Sequence, residues 1–133
     1  MPYIFVYGTL RADEVNDIHR AAARHGLPAP RAMGQGSVSG ALYDFGDYPG
    51  LVPDAAAASV IGEVYEIDAQ LIPVLDDIEE IHPGRPSLFL RTALLVRCGD
   101  AFIDCIVYPV HAEAVGAALR IAEGDWVRHR LTR

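Results

Sequence analysis

The feature that most limits the possible folds is the order in which short apolar runs of two kinds follow one another. Runs typical of β-strands occur at the start, in the middle and around residue 100, with helical spacings between them. They lack the regular alternation of strands and helices that builds a parallel α/β fold. We therefore predict an α+β domain with a curved or closed sheet, and 133 residues suit one domain spanning 1–133.

The first strand is predicted at residues 3–7, YIFVY, which are aromatic and β-branched. The strand stops at Gly8, and the pair Gly8-Thr9 is typical of a tight turn. Glycine allows successive amide hydrogens of such a turn to point outward as a small anion-binding nest. Because most turns of this kind only reverse the chain, the motif alone leaves both interpretations open.

Two helices are predicted before residue 81 from the spacing of their apolar residues. The first covers 13–24, with Gly26 as its C′ residue. The second covers 68–80, with Asp68 as its N-cap. Because proline lacks an amide hydrogen and crowds the preceding turn, the regular part of this helix is expected to begin only a residue or two before Pro73, or the helix is expected to bend there.

The remaining elements follow from alternating patterns and turn residues. Strands are predicted at 36–45, 48–52 and 60–67. A hairpin is predicted from 88–97 and 101–109. A final helix is predicted at 112–123, ending at Gly124, and Trp126 is expected to pack its indole back on the body of the domain.

The two cysteines of the chain lie on opposite strands of the predicted hairpin. If Cys98 faces Ala101, then Leu94 faces Cys105, and the cysteines are four strand positions apart. That separation exceeds the roughly 4.4–6.8 Å between Cα atoms that a disulfide needs. Free thiols and sparse cysteines predict a cytoplasmic protein.

Net charge and motif content exclude several classes of function. The formal charge of −7 repels nucleic acids and anionic membranes, and no apolar run approaches the roughly 20 residues of a membrane span. The first ten residues lack the features of a signal peptide. The five histidines show no ligand spacing, so we predict no metal site.

One carboxylate stands out in the acidic segment LDDIEE, residues 75–80. At about 100° of rotation per residue, Glu79 falls between Leu75 and Ile72 at the edge of the apolar stripe of the helix. The other three acids of the segment are predicted to point well away from that stripe: Asp76, Asp77 and Glu80.

A carboxylate at an apolar boundary, close to like charges, is expected to have a raised pKa. Such a group can accept and return a proton, which makes Glu79 a candidate general acid and base. Two alternatives remain open on these residues alone. The acidic segment is a solvated helix face, or Glu79 pairs with an arginine such as Arg85 or Arg91.

Several blocks of the sequence, taken together, resemble the gamma-glutamylcyclotransferase-like family. They occur in family order and cover nearly the whole chain: VYGTLR, GALYDFGDYPGLV, VIGEVYEI, LDDIEE and EGDW. The combination of YGTL with an LDxxE helix some seventy residues later is far more specific than either motif.

The resemblance implies a fold, a reaction and site residues. The implied fold is a small mixed β-barrel with flanking helices, and the implied catalytic residue is Glu79. The implied reaction is the cyclisation of a small gamma-glutamyl substrate to 5-oxoproline without a cofactor. The implied substrate-binding residues form the turn of the first strand: Tyr7, Gly8, Thr9 and Leu10. Candidates for the pocket wall lie in the second block: Tyr43, Tyr48 and Pro49.

The chain departs from the family pattern at two positions. Glu80 follows the motif glutamate where the family often has glycine, and Phe89 stands where a YxR element often has its tyrosine. These changes bear on substrate choice. They also motivate an alternative, a non-catalytic protein that binds an amine or cationic ligand in the same pocket. The oligomeric state is left open.

Overall fold

The structure, a computed structural model that describes residues 1–133, is built around a closed barrel of five strands. Seven strands are present: β1 (Tyr3–Val6), β2 (Arg31–Asp44), β3 (Pro49–Pro53), β4 (Ser59–Glu66), β5 (Thr92–Cys98), β6 (Ala101–Val107) and β7 (Leu119–Arg120). Three α-helices flank the barrel: α1 (Ile18–Arg24), α2 (Leu71–Ile78) and α3 (Trp126–Thr132).

The barrel closes because the long strand β2 pairs with two partners in the same sheet. The order β2-β4-β1-β6-β5 returns to β2 through the pairing of Gly36 with Cys98. Only β1 and β6 are parallel, and the other pairs around the barrel are antiparallel. The far end of β2 extends beyond the barrel, where β3 and β7 pair with it. The prediction of an α+β fold with a small mixed barrel and flanking helices is confirmed.

Two apolar clusters form the core, one on each side of the barrel wall. The inner cluster contains Phe5, Leu42, Val64 and Trp126, all almost completely buried. The outer cluster packs α1 and α2 against the opposite face of β1. Alternate residues of β1 therefore serve both clusters, as expected for a strand buried on its two faces.

The predicted hairpin has the predicted register. Cys98 is opposite Ala101, and Leu94 is opposite Cys105. The two-residue connection Gly99-Asp100 is shorter than the expected three-residue turn, because Cys98 still pairs within β5. Both cysteines are free thiols.

The first of the two earlier helices begins later than predicted, and the second begins where Pro73 leads one to expect. The first starts at Ile18 and not at residue 13, because Asp17 is its N-cap and accepts a hydrogen bond from the amide of His19. The second starts at Leu71, two residues before Pro73, as expected from the missing amide hydrogen of proline. Asp68 is not the N-cap of this helix, and its carboxylate instead accepts from the amide of Gln70.

The predicted helix at 112–123 is wrong. The segment contains a single 3₁₀ turn, Ala112–Ala114, followed by the short strand β7. Gly116 adopts a φ of 51°, which interrupts a right-handed helix, and Ile121 donates a backbone hydrogen bond to Leu42 of β2. Pairing with the free edge of β2 therefore replaces helical hydrogen bonds. The last helix is α3, and its first residue, Trp126, packs into the core as predicted.

No helix of the structure has the length and apolar character needed to cross a membrane.

The close approach of the paired strands β1 and β4 predicts that a side chain at position 62 is not tolerated in place of Gly62. A Cβ atom at this position would lie 2.0 Å from the carbonyl oxygen of Val6, so the two strands would have to separate. We expect Gly62→Ala to lower the free energy of unfolding by about 3 kcal/mol or more in urea titrations. Ser39→Ala, at an exposed position of β2, is the control and should change it by less than about 0.5 kcal/mol. Equal stability of the two variants would contradict this packing.

Candidate active site

A cavity of about 320 Å³, part of it open to solvent, lies at the end of β1. The loop that follows β1 forms one side, and the end of α2 forms another. The polar groups that line it come from distant parts of the sequence: Tyr7, Thr9, Tyr48, Glu79 and Tyr108. Phe5, Pro49 and Phe89 contribute apolar walls. The barrel and α2 thus bring the YGTL and LDxxE motifs to one place.

The loop from Gly8 to Leu10 packs closely against Pro49 at its first residue. A Cβ atom on Gly8 would lie 2.6 Å from Cγ of Pro49, so this close approach requires glycine. The backbone amides of Gly8, Thr9 and Leu10 donate no hydrogen bond within the protein, although all three residues line the cavity. The loop therefore offers unused donors at the cavity.

Tyr7 fastens the start of this loop to two other strands. Its hydroxyl donates a hydrogen bond to the carbonyl oxygen of Tyr108, at 2.7 Å, and accepts one from the amide of Leu51, at 3.1 Å. Burial, with the nearby Glu79 carboxylate, raises the pKa of Tyr7 well above its usual range. The hydroxyl proton is therefore committed to the backbone, and Tyr7 positions the loop while its ring lines the cavity.

Thr9 is also engaged within the protein. Its Oγ1 accepts a hydrogen bond from Nδ2 of Asn16, at 3.1 Å, and its carbonyl oxygen accepts one from the amide of Asn16. These two contacts fix the loop from its outer side. The hydroxyl of Thr9 keeps its own proton free for a ligand.

Glu79 is the C-cap residue of α2, and its side chain lines the cavity. Its carboxyl has no hydrogen-bond or ion-pair partner in the protein. Burial, followed by the neighbouring charge of Glu80, raises the pKa of Glu79 to about 7. The inward position inferred from helical rotation is thus observed. Arg91, one of the two arginines considered as partners, pairs with Asp76 instead.

The prediction that the other acids point away from the apolar stripe is wrong for Asp76. One carboxylate oxygen of Asp76 accepts a hydrogen bond from the Tyr108 hydroxyl at 2.7 Å, and the other pairs with Arg91. Burial and this hydrogen bond raise the pKa of Tyr108 well above its usual range. Asp76 therefore orients a tyrosine of the cavity wall.

Glu80 also departs from the predicted helical geometry. The helix ends at Ile78, and Glu80 adopts a φ of 57°, so a rotation of about 100° per residue no longer applies to it. Its side chain lines a groove that adjoins the cavity. Glu80 and Asp77 are both exposed, as predicted for acids that point away from the apolar stripe.

Tyr108 was not identified from the sequence, although it lines the cavity. It follows β6, and the parallel pairing of β6 with β1 brings their ends together. No local pattern indicates which distant strands are parallel neighbours.

No three His, Cys, Asp or Glu side chains converge in a way that would hold a metal ion, and the absence of a metal stays a prediction.

Comparison with known proteins identifies the family. The family model described as "Gamma-glutamyl cyclotransferase, AIG2-like" matches residues 4–128. The chain belongs to this family. The gamma-glutamylaminecyclotransferase of Rattus norvegicus is 37% identical over 120 residues, which cover 81% of this chain and 77% of that protein.

Two solved structures show the same fold. An AIG2-like protein from Mus musculus has a TM-score of 0.70 and 31% identity, covering 87% of this chain and 83% of that one. YkqA from Bacillus subtilis has a TM-score of 0.73 and 26% identity, covering 98% of this chain but 41% of that one.

Ion pairs of Arg11 connect the cavity loop of this gamma-glutamyl cyclotransferase-like chain to two other elements. Arg11, directly after YGTL, donates to Glu63 at 2.5 Å and to Asp125 at 2.9 Å. Asp125 belongs to the EGDW block and also caps α3. Arg11 thus ties the cavity loop to β4 and to the start of the C-terminal helix.

The raised pKa of Glu79 predicts a pH-dependent stability effect of Glu79→Gln. Below the ordinary pKa of 4.5 the carboxyl is protonated in both the folded and unfolded states, so it adds no pH dependence. Between 4.5 and about 7 only the unfolded chain releases the proton, so the parent loses stability as the pH rises. We compare the free energies of unfolding of Glu79→Gln and the parent, measured by urea unfolding. The difference should favour the variant by about 1–3 kcal/mol more at pH 8 than at pH 4.

Asp77→Asn is the matched control, since Asp77 lies on the same helix with a side chain that is 78% exposed. Its effect on stability should vary little with pH over the same interval. A stability difference between Glu79→Gln and the parent that is the same at both pH values would contradict the raised pKa.

Proposed function

We propose that the protein is a cyclotransferase that releases 5-oxoproline from a gamma-glutamyl amine, peptide or related conjugate, with Glu79 as general acid and base. One observation carries the proposal. A carboxyl without a partner and a loop with three unused amide donors line the same cavity. The relatives named gamma-glutamylaminecyclotransferase support the reaction class.

The reaction is an intramolecular aminolysis. The α-amino nitrogen of the gamma-glutamyl unit attacks the side-chain carbonyl carbon, a new C–N bond closes the five-membered ring, and the C–N bond to the leaving amine breaks. The attacking ammonium must first lose a proton, and the leaving nitrogen must gain one. A single carboxylate within reach of both nitrogens can transfer that proton.

The environment of Glu79 suits this proton transfer. A pKa of about 7 gives a substantial fraction of both protonation states near neutrality, whereas an ordinary glutamate would hold almost no proton there. Because no side chain pairs with the carboxyl, it is available to the substrate. Aromatic and proline side chains line the cavity with it, and such apolar surroundings strengthen polar interactions.

The loop after β1 is the proposed anion-binding element. During attack, negative charge develops on the former carbonyl oxygen, and preorganised amide donors stabilise such charge. The same donors suit the α-carboxylate of the substrate. We assign these roles to the backbone of Gly8, Thr9 and Leu10, while Tyr7 and Thr9 hold the loop in place.

The shape of the cavity is the third proposed contribution to the reaction. Nucleophile and electrophile belong to one molecule, so the protein must only hold the gamma-glutamyl chain in a conformation that closes the ring. We propose that Pro49, Phe89 and Tyr108 enforce that conformation by contact. No cofactor enters this scheme.

We further propose one functional domain, 1–133, and a reducing compartment, the cytoplasm, in keeping with its two free thiols.

Glu79→Gln tests the assignment of the acid and base. The amide cannot accept the proton, so turnover should fall by about 10²- to 10⁴-fold, measured as 5-oxoproline release from a panel of gamma-glutamyl amides and peptides. Binding of the same compounds, measured by calorimetry, should survive. Asp77→Asn is the control and should keep the parent rate. Parent protein that binds the compounds without releasing 5-oxoproline would overturn the proposal in favour of a binding protein.

The pH dependence of turnover offers an independent check. Glu79 must be ionised to take the proton, so kcat/KM should rise with pH through an apparent pKa of about 7. The sign follows from the role, because protonated Glu79 is an inactive base. A profile that is flat from pH 5 to 8, or that falls over this range, would exclude Glu79 as the base.

A further inference from the structure

Glu80, the residue directly after the proposed acid and base, has a backbone conformation that favours glycine. Its φ is 57°, in the left-handed region, where a Cβ atom crowds the backbone. Asp13 is the one other non-glycine residue of the chain with a positive φ. A side chain at such a position costs free energy, and strained backbone of this kind is concentrated at functional sites.

The end of α2 explains why Glu80 adopts this conformation. The amide of Glu80 donates to the carbonyl oxygen of Asp77, at 3.0 Å, and the amide of Ile81 donates to that of Asp76, at 2.8 Å. These two hydrogen bonds form a Schellman motif, in which the residue after the C-cap is left-handed. Ile81 completes the motif by packing against the outer apolar cluster. The motif therefore fixes the backbone of Glu79, which is the C-cap, together with that of Glu80.

The side chain of Glu80 adds a negative charge that no group of the protein neutralises. Asp76 pairs with Arg91, and Asp77 has His82 at 3.7 Å, whereas Glu80 belongs to no hydrogen bond or ion pair of its side chain. The last turn of α2 contains no basic residue, although the C-terminal end of a helix dipole favours positive charge. Glu80 therefore places an uncompensated charge at the negative end of the helix.

The other ionisable groups around Glu79 are uncharged near pH 7 or lie near basic side chains. Three tyrosines line the cavity with it, and tyrosine hydroxyls are uncharged at that pH: Tyr7, Tyr48 and Tyr108. The other two acids of α2 each lie beside a basic side chain. Asp47 lines the groove beside the cavity, but it also borders a hollow that contains Arg130 and Arg133. Burial, followed by the charge of Glu80, raises the pKa of Glu79 to about 7.

From this arrangement we infer that Glu80 raises the pH range in which the enzyme works, by holding a second carboxylate beside Glu79 on a backbone that the helix end fixes. The inference rests on the proposed function. Glu80 is a positioning residue in this scheme, because it acts on the reaction only through the protonation of Glu79. Glycine at position 80 would relieve the strain of the left-handed backbone, but it would also remove the charge.

The carboxyl of Glu79 can be titrated directly by NMR of protein with labelled glutamate side chains, its signal being assigned from its loss in Glu79→Gln. We expect Glu80→Gln, which keeps the size and the strained backbone but removes the charge, to lower the titration midpoint of Glu79 by about half a pH unit. Glu80→Lys reverses the charge and should lower the midpoint by about one unit.

Two controls test whether the effect is a local one between two charges. Asp77→Asn removes an exposed charge from the same helix and should move the Glu79 midpoint clearly less than Glu80→Gln does. Added salt should lower the midpoint in the parent and change it less in Glu80→Gln, because only the parent has the pair of like charges to screen. An equal shift in Asp77→Asn would assign the effect to the net charge of the protein and overturn the inference.

Glu80→Gly separates the charge from the backbone strain. It should show the same Glu79 midpoint as Glu80→Gln, although it should unfold at a higher urea concentration, because glycine adopts the left-handed conformation without strain. A midpoint that falls in Glu80→Gly but not in Glu80→Gln would make the backbone responsible, which would overturn the inference.

Turnover should follow the same shift. The readout is kcat/KM at pH 6 divided by kcat/KM at pH 8, for any gamma-glutamyl compound that the parent converts, because this ratio cancels changes that are equal at both pH values. We expect the ratio in Glu80→Gln to be about two- to threefold that of the parent, since more of Glu79 is ionised at pH 6.

The two readouts separate the inference from the proposed function. If 5-oxoproline is released but the Glu79 midpoint is unchanged in both Glu80→Gln and Glu80→Lys, the cyclotransferase stands and the inference is wrong. If the midpoint moves as expected but the kcat/KM ratio does not follow it, or if no compound releases 5-oxoproline, Glu79 is not the base of such a reaction. The proposed function then fails, and the inference fails with it.

Discussion

The hydroxyl of Tyr7 makes the contact on which the site depends most directly. By donating to Tyr108 and accepting from Leu51, it joins the end of β1 to the residue after β6 and to β3. The other contacts of the loop after β1 lie on its far side, at Asn16, Ile18 and Arg11. Because the hydrogen bonds are buried, losing them would leave backbone groups unsatisfied, which disfavours any other loop position. The cavity thus has a fixed wall before any ligand enters.

Local patterns predicted most of the elements because the forces that form them are local. The hairpin register follows from alternation and a short turn, and the helix start near Pro73 follows from a missing amide hydrogen. The segment 112–123 failed for a non-local reason. Its apolar spacing is compatible with a helix, but the free edge of β2 offers hydrogen bonds that only the folded barrel presents. Sequence periodicity contains no information about that edge.

In the candidate site, too, some features follow from the local sequence and others depend on contacts between distant residues. The inward position of Glu79 could be inferred because it depends only on rotation along α2. The amide of Glu79 still donates a helical hydrogen bond to the carbonyl oxygen of Leu75. The environment of Asp76 could not, since Tyr108 reaches it through the parallel pairing of two strands far apart in sequence. Glu80 lies one residue beyond the cap of the helix, where the rotation rule ends. Side chains just past a helix end therefore need the structure.

Polar groups around the cavity contrast with those elsewhere on the barrel. Arg11, Glu63 and Asp125 satisfy one another, and Glu14 is buried with both carboxylate oxygens on Arg130. At the cavity, Glu79 has no partner and the loop amides have none. Unpaired polar groups in a partly enclosed space destabilise the fold, so they persist where a function needs them. A scaffold whose other buried charges are paired thus supports a cavity with unpaired polar groups.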